Sequence, residues 1–94
     1  MNYQQALELI KANADDEDFR VFSVSSRRLL QDEAQNRNEY FETVAEAQAY
    51  FDVSIAGDPG EEYIIELIEW CADAQSGGLN RVAVLKTRRE SVEV

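Results

Sequence analysis

A long stretch of negative charge runs through the middle of this 94-residue chain. Between Asn38 and Asn80 there are ten carboxylates and neither a lysine nor an arginine. A stretch of this kind costs stability through self-repulsion, and proteins usually dilute it with lysine. Its negative field therefore predicts a positively charged partner. The ten acids are Glu39, Glu42, Glu46, Asp52, Asp58, Glu61, Glu62, Glu66, Glu69 and Asp73.

The charge is arranged in blocks along the chain. The formal net charge is −10, residues 32–80 alone carry −11, and residues 19–31 and 81–94 are net basic. Such a chain is repelled by DNA, RNA and anionic membrane surfaces. It is attracted to basic proteins, at a rate that falls as salt rises. We therefore expect a basic, nucleic-acid-binding protein as the partner, with no direct contact to nucleic acid or to a membrane.

Length and composition bound the class of protein. A chain of 94 residues with 45% hydrophobic residues makes one domain with a modest core. The single cysteine, Cys71, requires no oxidising compartment. The start of the chain lacks the features of a secretory signal, and no apolar run reaches the roughly 20 residues of a membrane span. We expect a cytoplasmic protein that is a monomer or a homodimer.

The first third of the chain predicts a helix followed by a strand. Residues 3–14 place apolar side chains on one face at helical spacing, and the acidic residues 15–18 end the helix as a loop. Residues 19–25 are rich in Phe and Val and alternate as a strand does. Residues 27–38 fit either an extension of that strand or a short helix capped by Ser26.

Two helix start signals follow in the middle of the chain. Residues 40–41 predict a brief strand that leads into a helix, for which Thr43 and Glu46 make a capping box. We predict that this helix ends near Gly57. Residues 58–61 then supply a second start signal, an aspartate cap followed by proline at the first helical position.

Residues 61–75 fit two structures. Their β-branched side chains favour a strand, whereas acids at positions 62, 66, 69 and 73 keep to one face of a helix. The start signal and the stop at residues 77–78 agree with the helix, which we predict, and a hairpin into the last strand is the alternative. Residues 81–88 alternate as the clearest strand, and residues 87–94 form a tail that can fray.

The resulting prediction is a single acidic α+β domain over residues 1–94. It has about three helices packed on a short, mainly antiparallel sheet.

The residue types of a catalytic or metal site are largely missing. The absence of histidine removes the commonest general base, the usual nucleophile pairs and nearly every catalytic zinc arrangement. Cys71 is predicted to be a buried structural residue rather than a nucleophile. Residues 15–18 lack the spaced ligands of a calcium loop. We therefore expect no catalytic residues, no metal, no cofactor and no enzymatic activity.

The acidic surface remains as the candidate site. On the predicted helix, the acids at 62, 66, 69 and 73 form a stripe about 16 Å long, and the preceding helix supplies a second row. Two rows of carboxylates would offer a basic groove the spaced anions by which it holds DNA. The predicted partner-binding residues are Glu39, Glu42, Glu46, Asp52, Glu62, Glu66, Glu69 and Asp73.

The sequence thus predicts a non-enzymatic acidic inhibitor or binding protein that occupies the nucleic-acid-binding surface of a target as a DNA mimic. The combination of small size, acidity and missing histidine is similar in kind to anti-defence inhibitors encoded by phages and mobile elements, without a shared motif. One alternative is an immunity or antitoxin-like protein for a basic toxin. Another is a structural or adaptor subunit whose acidity is incidental.

Overall fold

Two helices and four strands make up the described part of the chain. The computed structural model describes residues 1–28, 37–53, 62–73 and 75–91. The strands form one antiparallel sheet in the order β2-β1-β3-β4. The elements are α1 (Tyr3–Ala12), β1 (Val21–Arg28), β2 (Arg37–Phe41), α2 (Val44–Phe51), β3 (Glu62–Ala72) and β4 (Leu79–Ser91).

Helix α1 begins at a complete capping box. The Asn2 side chain accepts a hydrogen bond from the backbone N–H of Gln5 at 2.8 Å, and the Gln5 side chain accepts one from the N–H of Asn2 at 2.9 Å. Ala6 and Ile10 are the buried residues of this helix. The predicted first helix is confirmed, although it ends two residues early, and the acidic residues 15–18 follow it as a loop.

Helix α2 also begins where the sequence predicts. The Thr43 hydroxyl accepts a hydrogen bond from the backbone N–H of Glu46 at 3.2 Å. The predicted end near Gly57 is wrong, because α2 ends at Phe51 and Asp52 is its C-cap. The start signal at residues 58–61 lies outside the described residues. Neither described helix is long and apolar enough to cross a membrane.

The helix predicted over residues 61–75 is wrong, and the hairpin alternative is confirmed. Residues Glu62–Ala72 form β3, which pairs with β1 on one side and with β4 on the other. The two-sided pairing satisfies the backbone of β3, and Ile65 and Leu67 are almost fully buried within it. Tertiary pairing has overridden the helical spacing of the acids. The described residues therefore contain two helices rather than the predicted three.

The remaining strand predictions are confirmed with different bounds, and β1 begins at Val21 rather than at residue 19. Strand β1 continues to Arg28, which settles the start of the ambiguous region, whereas residues 29–36 lie outside the described residues. The brief strand at residues 40–41 is the end of β2. Strand β4 continues through Ser91, so residues 87–91 of the predicted tail belong to the strand, and residues 92–94 lie outside the described residues.

Each helix covers one face of the sheet. Val24 packs with Ala47 and Phe51 of α2, and we call this side the α2 face. Val21 packs with Ala6 and Ile10 of α1, on the opposite side, the α1 face. The two valines face apart because they are three residues apart in a strand whose side chains alternate.

The α1 face contains a buried hydrogen bond between neighbouring strands. The indole N–H of Trp70 on β3 donates to the hydroxyl of Ser23 on β1 at 2.8 Å. Ser23 is fully buried, so the indole supplies a partner that water cannot. Tyr40 packs 6.4 Å from Trp70, measured between ring centroids, and burial raises the pKa of its hydroxyl.

Candidate binding surface

Four chain segments meet at one end of the sheet, which we call the loop end. At this end β1 begins and β2 ends, since Phe22 lies opposite Phe41. Strand β3 also ends here and β4 begins, since Ala72 lies opposite Leu79. Three connecting segments therefore lie at this end of the sheet, namely the loop of residues 15–18, the start of α2 and the β3–β4 hairpin turn.

The loop end is rich in acidic side chains and poor in basic ones. Residues 15–18 are all exposed, and a surface depression of about 270 Å³ places that loop beside Cys71 and Ala72 at the end of β3. Two more exposed acids lie at the start of α2, namely Glu42 before the N-cap and Glu46 in the first turn. The eight carboxylates of the loop end are Asp15, Asp16, Glu17, Asp18, Glu42, Glu46, Glu69 and Asp73.

The opposite end of the sheet has mixed charge. Arg27 of β1 and Arg89 of β4 lie on either side of Ile64, which is the residue of β3 that pairs with both. Glu62 and Glu90 lie at the same end. The fold has therefore concentrated net negative charge at the loop end rather than spreading it evenly over the surface.

The acidic loop is held in a defined shape by hydrogen bonds to its backbone groups. The carbonyl of Asp16 accepts from the N–H of Phe19 at 3.1 Å, and the Asp16 carboxylate accepts from the N–H of Asp18 at 3.0 Å. Arg20 donates to the carbonyls of Glu17 and Phe19 at 2.8 and 2.9 Å. These bonds fix the backbone and leave the carboxylates of the loop exposed to solvent.

Among the acids of the loop end, Glu69 is the least accessible to a partner protein. Its carboxylate lies 3.4 Å from Nε of Arg20, and both side chains are partly buried. This ion pair joins the Glu69 carboxylate to the residue that donates to the loop, so the carboxylate is less open to a partner. We therefore assign Glu69 to holding the loop rather than to contacting a partner.

Asp73 organises the hairpin turn. Its carboxylate accepts hydrogen bonds from the Ser76 hydroxyl at 2.8 Å and from the N–H of Gln75 at 3.0 Å. Its carbonyl accepts from the N–H of Gly77, which has a φ of 73°, a left-handed conformation that glycine adopts without strain. The bond from Ser76, followed by that from Gln75, lowers the pKa of Asp73 below its ordinary value.

The lowered pKa of Asp73 predicts a pH dependence of stability. The contribution of these bonds is complete above the pKa of an unfolded aspartate and is lost as pH falls through the lower pKa of the folded state. Asp73→Asn should therefore be less stable than the wild type at neutral pH, and the difference should shrink in acid. Urea unfolding at several pH values measures it. Asp15→Asn removes the same charge and is the matched control, so an equal trend in both variants would contradict the role of these bonds.

The structure separates the eight predicted partner-binding residues into groups. Glu42, Glu46, Glu69 and Asp73 lie at the loop end, as described above. Glu39 instead binds the N-terminal amine of Met1 at 2.8 Å. Asp52 caps the other end of α2, where it accepts a hydrogen bond from Gln48 at 2.8 Å.

The predicted acidic stripe does not form. Glu66 lies opposite Ser25 on the α1 face, and Glu62 shares that face because it is four residues away in the same strand. Glu69 lies opposite Phe22 on the α2 face. The spacing that would align these acids on a helix divides them between the two faces of a strand.

The loop of residues 15–18 is the part of the site that the sequence did not identify. Its four consecutive acids are visible in the sequence, but their position beside the β3–β4 hairpin depends on the strand order.

Cys71, predicted to be buried on a helix, is partly exposed on β3 at the edge of the depression. The described residues contain no group of three or more acids or cysteines placed to hold a metal ion. Comparisons with protein-family models, curated proteins and solved structures found no match.

Proposed function

We propose that this chain is a non-enzymatic binding protein whose acidic loop end docks on a basic surface of a partner protein, at the place where that partner holds nucleic acid. The observation that carries the proposal is the convergence of separate acidic segments at one end of the sheet. Three of them, residues 15–18, residues 42–46 and Asp73, come from different parts of the sequence.

The electrostatics of the loop end suit association with a basic surface. Exposed carboxylates concentrated on one end steer a cationic partner to that end and raise the association rate at low salt. Because backbone hydrogen bonds already hold the loop of residues 15–18, little conformational entropy is lost when a partner orders it. Neutralising the acids should therefore weaken binding without unfolding the chain.

The titratable groups favour binding over catalysis. The pKa is clearly shifted at Asp73, in a solvent-exposed turn, and at Tyr40, in the core, and these two groups do not share a cleft. Catalytic groups with shifted pKa values are instead expected to cluster in a cleft. A chain without histidine also lacks the commonest general base.

Two variants with equal net charge test the proposal. The loop-end variant carries Asp15→Asn, Glu17→Gln and Asp18→Asn. The control variant carries Glu8→Gln, Glu62→Gln and Glu66→Gln, which remove the same charge from other surfaces and likewise change −10 to −7. Each protein is immobilised and exposed to a bacterial lysate at low salt. Bound proteins are then eluted with duplex DNA and, in a parallel sample, with salt.

We expect the wild type and the control variant to retain the same basic proteins, duplex DNA to release them, and the loop-end variant to lose most of them. Equal losses from both variants would show that net charge, rather than the loop end, governs binding, and would contradict the proposal. A partner that resists DNA would contradict the mimicry and favour a cognate, immunity-like fit.

A further inference from the structure

Strand β4 is a long edge of the sheet with its own surface chemistry. It spans 13 residues and, among the residues that the structure describes, pairs on one side only, with β3. Its outer side therefore presents backbone N–H and C=O groups of a kind that can pair with another strand. Three apolar side chains on it are exposed, namely Val82 at 46%, Val84 at 40% and Leu85 at 41%.

Two β-bulges divide this edge into an irregular part and a regular part. The pairing with β3 skips Leu85 between Val84 and Lys86, and it skips Val82 between Arg81 and Ala83. Bulges of this kind twist an edge and interrupt strand addition across them. Beyond Leu85 the register is uninterrupted through residues 86–91, so this is the section on which a further strand can form a continuous ladder.

The charge of β4 is opposite to that of the chain as a whole. Within residues 86–91, Lys86 and Arg89 are exposed, although the chain carries −10, and the one acid of this section, Glu90, accepts a hydrogen bond from Arg88 at 2.8 Å. The neighbouring Arg88 is already bound to the end of α2. The edge therefore combines open backbone groups, a small apolar patch and basic side chains.

We propose that residues 86–91 of β4 bind an extended acidic segment of a partner protein by strand addition, with an apolar side chain at the end of that segment packing on the adjacent Leu85. Main-chain hydrogen bonds would provide affinity, and the basic side chains would select acidic sequences. A second copy of this chain is the poorer occupant, because both β4 strands would be net basic, with four basic residues and one acid each. This site is separate from the acidic loop end and has the opposite preference for charge.

Peptide binding to the full chain tests the proposal with a defined probe. The first peptide alternates glutamate and valine, the second replaces glutamate with lysine, and the third is the glutamate peptide with alternate backbone nitrogens methylated to prevent strand pairing. Binding is followed at low salt by fluorescence anisotropy, and the contact surface is mapped by amide chemical shifts. The net charge of −10 by itself favours the lysine peptide, whereas the proposed site on β4 favours the glutamate peptide. The two explanations therefore predict opposite preferences.

We expect the glutamate peptide to bind at least about tenfold more tightly than the lysine peptide, with shifts along residues 86–91 and loss of binding on N-methylation. Lys86→Glu should weaken it about tenfold, whereas Lys11→Glu, an equal change of charge on α1, should not. Tighter binding of the lysine peptide, or binding unaffected by N-methylation, would overturn the proposal. Self-association abolished by Lys86→Glu would also overturn it, in favour of a second copy.

Discussion

Arg88→Ala should lower the free energy of unfolding by about 2–3 kcal/mol, because the Arg88 side chain joins β4 to the end of α2. Its guanidinium donates to the carbonyl of Phe51 at 3.0 Å and to that of Val53 at 2.8 Å. The same group lies 5.2 Å from the centroid of the Phe51 ring and donates to Glu90 at 2.8 Å. The expected loss stays moderate because water can reach part of this site: the Arg88 side chain is 28% exposed.

Replacing Arg88 with lysine tests the contribution of the positive charge separately from that of the planar guanidinium. Arg88→Lys keeps the cation near the negative end of the α2 dipole, but an ammonium cannot reproduce the planar fork that reaches both carbonyls. We expect it to restore less than half of the stability lost in Arg88→Ala. Arg89→Ala is the matched control, since Arg89 is exposed on the same strand and should cost less than about 0.5 kcal/mol.

Urea unfolding gives these differences as shifts of the midpoint at an unchanged slope. Equal costs for the Arg88 and Arg89 variants would contradict the role assigned to Arg88. A loss of helical circular dichroism before the main transition in Arg88→Ala would instead locate the damage at α2 alone.

The contacts of Arg88 also explain why the end of α2 was predicted too far along the chain. The start of α2 is local, since Thr43 and Glu46 are three residues apart and their side chains meet at the cap. Its end has no such local signal. The carbonyls at the end are satisfied by an arginine 37 residues further along the chain, and no reading of neighbouring residues finds that partner.

The same distinction accounts for β3. Residues three or four apart share one side of a helix, whereas residues must be an even number apart to share one face of a strand. The acids of β3 at positions 62, 66 and 69 have the helical spacing. The burial that decides in favour of the strand comes from β1 and β4, which pair with β3 on both sides. By contrast α1, β1 and β4 are recognisable from their own residues, and the structure confirms them.

The acidic surface was predictable in composition and unpredictable in arrangement. That the chain presents exposed carboxylates follows from their number, because so many charges cannot be buried in a small domain. Which of them lie together follows from the antiparallel strand order, which brings residues 15–18 next to the β3–β4 hairpin. Glu66 and Glu69, adjacent in a helical pattern, are separated onto opposite faces by the same strand pairing.

Ile65→Ala should be the more damaging of two neighbouring substitutions, with a loss of about 3–4 kcal/mol in the free energy of unfolding. Ile65 is fully buried on the α2 face, in the cluster with Val24 and Phe51. Ile64 lies on the opposite face and is partly exposed. Ile64→Ala removes the same atoms but should cost only about 1 kcal/mol, because less apolar surface is returned to water.

This pair of variants also separates strand from helix in β3. On a helix with acids at 62, 66 and 69, Ile65 would lie among the charged side chains, and its truncation would cost little. Ile64 would lie opposite the acids and would be the expensive position. Urea unfolding of both variants gives the order of the two costs directly. A larger loss for Ile64→Ala would contradict the strand, and with it the separation of Glu66 from Glu69 on which the assignment of the acidic surface to the loop end depends.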